Sequence, residues 1–487
     1  MKLSRLIKSL DECNVNYHLS DFEVKGISAD SRNIAEGFIF VAIKGVAADG
    51  NLFIGDALKN GAKAVVVDNS ELSATSLYKA PVIAVNDSRK ALTILASEFY
   101  GRPSEKINVV GITGTNGKTT ITYLLEALLK EAGKEPAVIG TINYRFKDKV
   151  IPSKNTTPGP VELESMLARM AKEGIGYVLM EVSSHALEQD RTGNIKFHSA
   201  IFTNLTQDHL DYHKTMEEYF QAKSRLFKGL KPGAFAVINA DDPYFERLKQ
   251  MTKAEVISYA INTPALAMAK DIKFDISHTE FTLTVKGNDL KFETRLIGEH
   301  NVYNILAAVG WAIKERLDLK VIQKAIKNFS CVPGRLERVE TNRGFSVFVD
   351  YAHTDDALNN VIRTLRQVSK GRIIVVFGCG GERDKQKRPK MGKVVTELAD
   401  YAIITNDNPR SEDPLDIIEE IKRGINKNSY CVITDRQAAI KESLSIAEKG
   451  DIVLIAGKGH EDYQIIKNQA LKFDDRQVVK ECLALMK

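Results

Sequence analysis

The stretch with the clearest chemical potential is V-V-G-I-T-G-T-N-G-K-T-T at residues 109–120. Gly114 and Gly117 allow backbone N–H groups to turn inward, and the Lys118 ammonium supplies a cation for phosphate oxygens. The Thr119 hydroxyl can bind Mg²⁺. The standard motif G-x-x-x-x-G-K-[ST] would place its first glycine two positions before Gly114, where this chain has isoleucine. Because the run lies between an apolar strand and a helix, it still predicts a phosphate-binding loop rather than a plain glycine turn.

A metal ion beside such a loop needs further ligands, and two later stretches offer them. Glu181 ends the apolar run Y-V-L-M-E, where its carboxylate could bind Mg²⁺ or simply face solvent. The run T-Q-D-H-L-D-Y-H follows the next apolar strand and contains His209 and His213. A lone histidine is usually hydrogen-bonded in a core, so two histidines beyond one strand end are the stronger indication of a site.

Polar or glycine-rich loops also follow four apolar runs in the last third of the chain. They read D-Y-A-H-T, G-C-G-G-E-R-D, N-D-N-P-R and A-G-K-G-H-E. Ligands of open α/β sheets bind beyond the carboxyl ends of the strands. The four loops therefore predict a second binding crevice.

More than one domain must position these residues, because single cores stop growing at roughly 250–300 residues and the chain has 487. Residues 1–100 predict a small α/β unit that ends in a helix at 88–100, before a hinge at Gly101-Arg102-Pro103. Alternating strands and helices predict doubly wound, mostly parallel sheets in two larger domains, 101–333 and 334–487. The predicted strands are 107–112, 177–180, 199–202, 234–238, 345–349, 372–377, 401–404 and 451–455.

The composition is that of an ordinary soluble globular protein, with 44% hydrophobic and 27% charged residues. The net charge of +5 is diluted over a long chain, which argues against nucleic-acid binding and is compatible with anionic small substrates. The five cysteines form no C-x-x-C pair and predict reduced thiols in a cytoplasmic protein. Neither a signal peptide nor a membrane span is expected.

Several motifs in this order resemble the Mur ligases, which are ATP-dependent amide-bond-forming enzymes of peptidoglycan synthesis. They are G-I-T-G-T-N-G-K-T-T, N-T-T-P, M-E-V-S-S-H-A-L, D-H-L-D-Y-H, G-E-H-N-V-Y-N, P-G-R-L-E and D-Y-A-H-T. The resemblance spans nearly the whole chain and accounts for the unusual glycine spacing of the loop. It implies a small α/β UDP-binding domain, a central P-loop domain and a C-terminal Rossmann-like α/β domain, in a monomer.

Two stretches resemble the branch of this family that adds the third residue of the stem peptide. A-D-S-R-N-I-A-E-G-F-I-F-V-A is similar to its UDP-binding domain, and D-N-P-R at 407–410 is similar to the form that adds meso-diaminopimelate. The implied substrates are ATP, UDP-N-acetylmuramoyl-L-alanyl-D-glutamate and meso-2,6-diaminopimelate. L-lysine or another diamino acid remains the alternative.

The resemblance also implies roles for individual residues. ATP would be bound by Gly114, Thr115, Asn116, Gly117, Lys118, Thr119, Thr120, Asn301, Arg335 and Asp350. Mg²⁺ would be bound by Thr119, Glu181, His209 and Lys223, and the catalytic residues would be Lys118, Lys223, Glu181 and His209. The UDP-linked substrate would contact Ser31, Thr156, Thr157, Ser183, Gln189 and Arg191. The amino acid would contact Arg383, Asp407, Asn408, Pro409, Arg410, Gly457 and Glu461, whereas a role for His353 is left open.

Lys223, in Q-A-K-S-R-L-F, has two interpretations. A lysine on a helix is ordinarily a solvated surface charge. The family resemblance instead implies that its amine takes up CO₂ and becomes a carbamate, because an ammonium would repel the metal that it is expected to hold.

Three other functions compete with this interpretation. Folylpolyglutamate synthetase belongs to the same superfamily but lacks a UDP-binding domain, so the first 100 residues argue against it. A P-loop switch or motor would need other motifs, and no guanine-reading N-K-x-D occurs in the chain. A nucleotide-sugar scaffold without catalysis is the third.

Overall fold

The computed structural model describes residues 1–10, 13–15, 21–45, 48–77, 80–285, 287–467 and 469–486. The chain divides into two compact units. The first consists of Met1–Lys118, Ala132–Leu205 and His213–Ile257, and the second of Thr119–Glu131, Thr206–Tyr212 and Ser258–Lys487.

The N-terminal part of the first unit is a five-stranded α/β domain. Its strands are β1 (Cys13–Val15), β2 (Gly26–Ser28), β3 (Phe38–Val41), β4 (Ala62–Asp68) and β5 (Val82–Val85), and its helices are α1 (Leu3–Ile7), α2 (Ile54–Lys59) and α3 (Ser88–Phe99). The sheet order is β1-β5-β4-β3-β2, and only β1 runs antiparallel to its neighbour. Alternate residues of β4 belong to two apolar clusters, Val66 to one and Val65 and Val67 to the other. Both faces of the sheet are therefore covered, which explains the unbroken apolar run.

The central part of the chain is built around a second parallel sheet; most of it belongs to the first unit, whereas Thr119–Glu131 and Thr206–Tyr212 belong to the second. Its elements are β6 (Asn108–Thr113), α4 (Lys118–Glu131), β7 (Pro136–Ile139), β8 (Asn143–Phe146), β9 (Lys149–Pro152), α5 (Pro160–Lys172), β10 (Tyr177–Glu181), α6 (Ser184–Glu188), β11 (Phe197–Phe202), α7 (Leu210–His213), α8 (Met216–Lys228), β12 (Phe235–Asn239) and α9 (Phe245–Met251). Strands β12, β11, β6, β10 and β7 are parallel in that order. The hairpin β8–β9 extends the sheet antiparallel to β7.

The second unit contains an antiparallel set of strands followed by two helices. These elements are β13 (Glu255–Ala260), β14 (Ala267–Phe274), β15 (Thr279–Val285), β16 (Asn288–Thr294), α10 (Glu299–Lys314) and α11 (Leu319–Asn328). Strands β14, β15 and β16 form a meander, whereas the end of β13 pairs with β14 in parallel.

A C-terminal α/β domain completes the second unit. Its elements are β17 (Glu337–Val339), β18 (Ser346–Asp350), α12 (Asp355–Val368), β19 (Ile373–Phe377), α13 (Lys387–Leu398), β20 (Tyr401–Ile404), α14 (Pro414–Lys422), β21 (Tyr430–Val432), α15 (Arg436–Ser445), β22 (Ile452–Ala456), β23 (Tyr463–Ile466), β24 (Gln469–Lys472) and α16 (Asp475–Leu485). The order is β17-β18-β22-β19-β20-β21, with β17 alone antiparallel. Val375 faces one apolar cluster, and Ile374 and Val376 face the other.

These observations confirm the predicted fold class and the predicted strands, whose bounds differ by at most two residues. The meander β14–β16 and the hairpins β8–β9 and β23–β24 were not predicted, although the alternation of polar and apolar residues in β15 (T-E-F-T-L-T-V) is the usual signal of a half-exposed strand. All five cysteine thiols are free. Among the described helices, none is both long and apolar enough to cross a membrane.

Candidate active site

The loop between β6 and α4 depends on glycine at two positions. Gly114 has φ of +142°, and a Cβ there would lie 1.8 Å from the Thr203 hydroxyl oxygen and 3.0 Å from the Asn204 carbonyl oxygen. Gly117 also has a positive φ, of +91°. L side chains rarely adopt such values, so the loop path requires these glycines.

The residues that hold this loop follow the neighbouring strand β11. The Asn204 carbonyl oxygen accepts a hydrogen bond from Thr115 N at 2.8 Å, and its Oδ1 accepts one from Asn116 N at 3.0 Å. The Thr203 hydroxyl donates to the Asn116 carbonyl oxygen at 2.6 Å. Two of the loop amides thus already have protein acceptors. Sequence reasoning missed Thr203 and Asn204, although their position directly after a parallel strand was a usable signal.

Two lysine side chains meet at one carbonyl oxygen of the loop. Lys118 Nζ donates to the Gly114 and Thr115 carbonyl oxygens at 2.9 and 2.8 Å, and Lys223 Nζ donates to the Gly114 oxygen at 2.8 Å. Lys223 is only 2% exposed, and its ammonium lies 4.5 Å from the centre of the Tyr219 ring. The interpretation of Lys223 as a surface lysine is therefore wrong.

Helix α8 delivers Lys223 to the loop because one face of the helix is apolar and buried. Thr215 caps its N-terminus by accepting a hydrogen bond from Glu218 N. Tyr219 lies one turn before Lys223 on the buried face, and its hydroxyl is 3.3 Å from the Thr115 hydroxyl.

Glu181 ends strand β10 beside β6, where it pairs with Ile112 in the parallel register. It is 1% exposed, so the alternative of a carboxylate in solvent is wrong. Its two oxygens accept hydrogen bonds from Thr141 N at 3.0 Å and from the Thr141 hydroxyl at 2.9 Å. Gly140 makes this approach possible, since a Cβ there would lie 2.4 Å from Glu181 Oε1. The Gly140-Thr141 pair was also missed.

Five of the six residues predicted for the UDP-linked substrate lie close to Glu181. The Thr157 hydroxyl donates to the Glu181 carbonyl oxygen at 2.8 Å and accepts from Ser183 N at 3.1 Å. Arg191 donates to the Thr157 carbonyl oxygen at 3.1 Å and to Gln189 Oε1 at 2.7 Å.

Thr156 and Ser183 complete this group, and Ser31 stands apart from it. The Thr156 hydroxyl is 3.1 Å from that of Thr141, and the Ser183 hydroxyl caps α6 by accepting from Ala186 N. Ser31 is buried in the N-terminal domain, where its carbonyl oxygen accepts from Asn60 Nδ2 at 2.9 Å. The structure therefore brings the other five together without Ser31.

The two histidines of the D-H-L-D-Y-H run have different surroundings. His213 is 3% exposed, its Nε2 lies 2.9 Å from the Ser184 hydroxyl, and its ring is 5.1 Å from that of Tyr219. His209 belongs to the second unit together with Thr119 and Thr120; its side chain is 47% exposed and lies 3.4 Å from Asp208. Among the described residues, no group of three or more His, Cys, Asp or Glu side chains is arranged to hold a metal ion.

Asp350 and Arg335, two of the predicted ATP residues in the second unit, are buried and half-buried respectively. The Asp350 carboxylate accepts from Leu336 N at 2.6 Å and from Ala352 N at 2.8 Å. Burial raises the pKa of Asp350, although the Arg335 guanidinium and these two amides act in the opposite direction. The Arg335 guanidinium lies 4.7 Å from the Tyr351 ring centre. Its Nε is buried without a hydrogen-bond partner among the residues that the structure describes.

The side chains of Asn301 and His353 also lie close to backbone carbonyl oxygens. Asn301 is 5% exposed, and its Nδ2 donates to the Ile297 carbonyl oxygen at 2.9 Å. Its Oδ1 accepts from Asn304 Nδ2 at 3.1 Å. His353 Nδ1 lies 2.8 Å from the Tyr351 carbonyl oxygen.

The residues predicted for the amino acid lie in three loops that contact one another, 378–386, 405–413 and 457–462, which we call the C-terminal loop cluster. Asn408 Nδ2 donates to Glu461 Oε2 at 2.9 Å, and Arg410 donates to the Gly381 carbonyl oxygen at 2.6 Å. Gly457 has φ of +115°, and a Cβ there would lie 2.4 Å from Asp407 Oδ2. The cluster thus brings together residues from all three predicted motifs.

The remaining predicted residues of the cluster differ in burial. Pro409 is buried, and its carbonyl oxygen would lie 2.0 Å from a Cβ on Gly381. Arg383 is exposed on the loop that follows β19, whereas Arg410 is half-buried. Arg410 adopts φ of +54°, a value uncommon for a residue with a side chain.

Two fully buried arginines support this cluster, and sequence reasoning missed both. Arg388 donates to Glu412 at 2.9 and 3.0 Å, to Glu420 at 2.9 Å and to the Gly380 carbonyl oxygen at 3.2 Å. The hydrogen bonds that Arg388 donates lower the pKa of Glu412 to about 2. Arg436 makes two hydrogen bonds to Asp475, at 2.8 and 2.7 Å. Both arginines lie in runs that read as ordinary helix surfaces, so no local signal marked them.

Three sequence profiles match consecutive parts of the chain. The profile of the Mur ligase family catalytic domain matches residues 23–100, that of the Mur ligase middle domain matches 112–312, and that of the Mur ligase glutamate ligase domain matches 334–459. The chain belongs to the Mur ligase family.

This Mur ligase is similar to curated relatives along its whole length. It is 43% identical over 485 residues to a UDP-N-acetylmuramoyl-L-alanyl-D-glutamate–2,6-diaminopimelate ligase of Clostridium tetani, with 99% of each chain covered. It is 46% identical over 461 residues to the ligase of the same name from Aquifex aeolicus, with 94% of each covered. A solved structure of a ligase with this name superposes with a TM-score of 0.69 at 33% identity, covering 95% of both chains. Family membership favours a ligase over a nucleotide switch, a motor or a scaffold.

Proposed function

We propose that this Mur ligase joins meso-2,6-diaminopimelate to UDP-N-acetylmuramoyl-L-alanyl-D-glutamate at the expense of ATP, in the synthesis of peptidoglycan precursors. The observation that carries the proposal is the C-terminal loop cluster. It combines a half-buried arginine, Arg410, with the carboxylates of Asp407 and Glu461. Diaminopimelate carries an extra carboxylate and an extra ammonium at its far end, and such a mixture of charges suits both. The cytoplasmic location and the monomeric state remain predictions.

The reaction must activate a carboxylate that an amine does not attack. One carboxylate oxygen of the D-glutamyl residue attacks the γ-phosphorus of ATP, and the bond between that phosphorus and the ADP oxygen breaks. The amine then attacks the carbonyl carbon of the acyl phosphate, the C–O bond breaks, and phosphate leaves with the oxygen. The protein contributes by positioning the reactants and neutralising charge.

The phosphate-binding loop, residues 114–120, is proposed to hold the ATP phosphates. Lys118 is held over the loop by the Gly114 and Thr115 carbonyl oxygens, which places its ammonium among the backbone groups that are proposed to bind phosphate. Asn301, Arg335 and Asp350 are proposed to bind ATP from the second unit. The buried Arg335 Nε supports this assignment, because a ligand acceptor would satisfy it.

Some of the residues proposed to bind Mg²⁺ have suitable chemistry in this structure, and one does not. Mg²⁺ prefers oxygen ligands, and the Glu181 carboxylate is buried and fixed on both oxygens by Thr141. The Lys223 ammonium does not fit, whereas a carbamate on the same nitrogen would. We therefore propose Glu181, Thr119, His209 and carbamylated Lys223 as the residues that would hold it. When bound, Mg²⁺ would neutralise charge on the phosphoryl group.

The carbamate on Lys223 can be detected directly. A Lys223 carbamate should give a carbamate carbon signal in ¹³C NMR after the protein is equilibrated with ¹³C-bicarbonate. The signal should be absent from Lys223→Ala and present in Lys118→Ala. The same spectrum from wild type and Lys223→Ala would reject the modification.

The UDP-linked substrate is proposed to lie along Ser31, Thr156, Thr157, Ser183, Gln189 and Arg191. The five residues that cluster beside Glu181 support the part of this proposal that concerns the sugar-peptide portion. We also propose domain boundaries at 100/101 and 333/334, supported by the profile matches at 23–100, 112–312 and 334–459.

The proposed substrate is tested by an amino-acid panel. The purified protein receives ATP, Mg²⁺ and the UDP-linked dipeptide, and both ADP and the product mass are followed. We expect product with meso-diaminopimelate and far less with L-lysine. In Arg410→Lys we expect diaminopimelate use to fall selectively, because an ammonium cannot replace the planar guanidinium that binds a carboxylate through two N–H groups. Equal use of L-lysine by the wild type would reassign the substrate while keeping the ligase.

A further inference from the structure

Lys458 is a lysine that the reaction described above does not use. It follows strand β22 in A-G-K-G-H-E and is fully buried. A buried ammonium is unfavourable unless it is paired and hydrogen-bonded. Its Nζ meets this condition, lying 3.2 Å from Glu461 Oε2 and 3.3 Å from Asn408 Oδ1. The Tyr463 ring centre lies 5.5 Å away, within the range of a cation–π interaction.

Asn408 fixes the same carboxylate from a second direction. Its Nδ2 donates to Glu461 Oε2 at 2.9 Å, while its Oδ1 accepts from Lys458 and from Ile465 N at 2.9 Å. Two donors on one atom identify that atom as the amide oxygen, so the orientation of the Asn408 side chain is determined.

Glu461 therefore has one carboxylate oxygen that is hydrogen-bonded within the protein and one that can bind a ligand. Glu461 Oε2 accepts two hydrogen bonds, from Lys458 and Asn408. In the parts of the chain that the structure describes, no group donates to Oε1. The Glu461 side chain is 18% exposed, so this second oxygen can meet a ligand.

We infer that Lys458 is a positioning residue that sets affinity for the distal ammonium of the incoming diamino acid by fixing Glu461 with Oε1 directed to the ligand. The inference rests on the proposed function, and it assigns to Lys458 a part in selecting substrates with that ammonium. A carboxylate held at one oxygen loses little rotational freedom on binding, which favours a cation at the other.

The experiment compares two substrates in two proteins. Lys458→Met removes the charge with little change in volume. For meso-diaminopimelate we expect KM to rise roughly 10- to 100-fold, the range for loss of a hydrogen bond to a charged group, with little change in the KM of ATP. For 2-aminopimelate, which lacks the distal ammonium, we expect KM to change less than about threefold. A general loosening of the fold would raise both values alike.

Four further variants sharpen the comparison. Lys472→Met changes an exposed lysine in strand β24 and should leave every constant unchanged. Lys458→Gln keeps a donor without the charge and should raise the KM of diaminopimelate less than Lys458→Met does. Glu461→Gln should lose the same discrimination between diaminopimelate and 2-aminopimelate. The double variant Lys458→Met/Glu461→Gln should have a KM for diaminopimelate no higher than that of the weaker single variant, because both substitutions act on one contact.

The outcomes separate the two proposals. Wild-type protein that ligates no amino acid would reject the proposed function. A wild type that ligates diaminopimelate beside a folded Lys458→Met with unchanged KM, or with equal increases for both substrates, would overturn the inference alone. Unfolding of both Lys458 variants would make Lys458 a residue of the fold and would also overturn it.

Discussion

The phosphate-binding loop and the C-terminal loop cluster are held in place by different kinds of contact. The loop is shaped by Gly114 and Gly117, by neutral hydrogen bonds with Thr203 and Asn204, and by the Lys118 and Lys223 ammonium groups, which bind backbone carbonyl oxygens rather than carboxylates. The cluster is held by buried ion pairs, in which Arg388, Arg436 and Lys458 each bind a carboxylate. These contacts lie within single units of the chain.

The difference indicates how each region is suited to its ligand. A loop that positions phosphates needs close backbone approach, which glycine and short polar side chains allow. Loops that must distinguish one amino acid from another need charged groups at fixed places, and buried partners fix them. Substitutions in the loop should therefore affect catalysis first, whereas substitutions beneath the cluster should affect stability and amino-acid affinity together.

The largest expected effect is a loss of turnover when the phosphate-binding loop is changed. Lys118→Ala should lower kcat at least about 1,000-fold, because the ammonium would neutralise charge on the transferred phosphoryl group. The melting temperature should remain near that of the wild type. Lys130→Ala, which removes an exposed lysine paired with the buried Glu126 on the same helix, is the matched control. Wild-type turnover in Lys118→Ala would remove the phosphate-loop assignment.

The second-largest effect is expected from substitution of Arg388, the buried arginine that supports the C-terminal loop cluster. Arg388→Met leaves the Glu412 and Glu420 carboxylates with only the exposed Lys385 as a cationic neighbour, at 3.6 and 3.9 Å, and should reduce the free energy of unfolding by about 3 kcal/mol. The KM of the diamino acid should rise, since Arg388 also holds the Gly380 carbonyl oxygen. Thermal unfolding and steady-state kinetics measure both effects, with the exposed Lys390→Met as control. A stable variant with altered kcat only would contradict the contrast between the two regions.

A carboxyl group in the first unit should respond to pH in a way opposite to Glu412. Glu164 is 2% exposed, and burial raises its pKa to about 7. An acid with a raised folded-state pKa destabilises the fold as pH rises from its unfolded value, about 4.3, through 7. Glu164→Gln should therefore stabilise the protein by up to about 3 kcal/mol at pH 8 and little at pH 4.5.

The control for this prediction is Glu162→Gln on the same helix, where the side chain is exposed. Unfolding midpoints of the three proteins are compared at pH 4.5 and 8. A gain for Glu164→Gln that is equal at both pH values would show that the raised pKa is not its cause. The depressed pKa of Glu412 instead adds stability above about pH 4.3 that is lost as pH falls through 2.

The smallest effect is expected at the loop support. Asn204→Ala removes the acceptor of the Asn116 N–H and a longer bond, at 3.4 Å, from its Nδ2 to the Asn116 carbonyl oxygen, whereas its own carbonyl oxygen still accepts from Thr115 N. One neutral hydrogen bond contributes about 1 kcal/mol, so the KM of ATP should rise roughly fivefold. Steady-state kinetics at a saturating concentration of the amino acid measures this KM. A loss as large as that of Lys118→Ala would mean that Asn204 contacts the nucleotide itself.

The same contrast explains what could be predicted from the sequence. Gly117 and Lys118 form a local motif between a strand and a helix, so the loop was predicted without the structure. The positions of Glu181 and Arg410 at strand ends were predictable for the same reason. Arg388 bonds Glu412, which is 24 residues away in the chain, and Lys458 bonds Asn408, which is 50 residues away. Hydrophobic periodicity does not reveal such distant partners. Burial of Lys223 could not be predicted from the chain pattern alone, because helical lysines are normally solvated.

The central claim is that ATP activates the dipeptide as an acyl phosphate, and isotope transfer tests it most directly. The reacting carboxylate of the D-glutamyl residue is labelled with ¹⁸O, and the released phosphate is analysed by mass spectrometry after ligation to diaminopimelate. Activation as an acyl phosphate should place one ¹⁸O atom in each phosphate and should form one ADP for each tripeptide. Phosphate without label, or ADP formed without growth of the peptide, would contradict it.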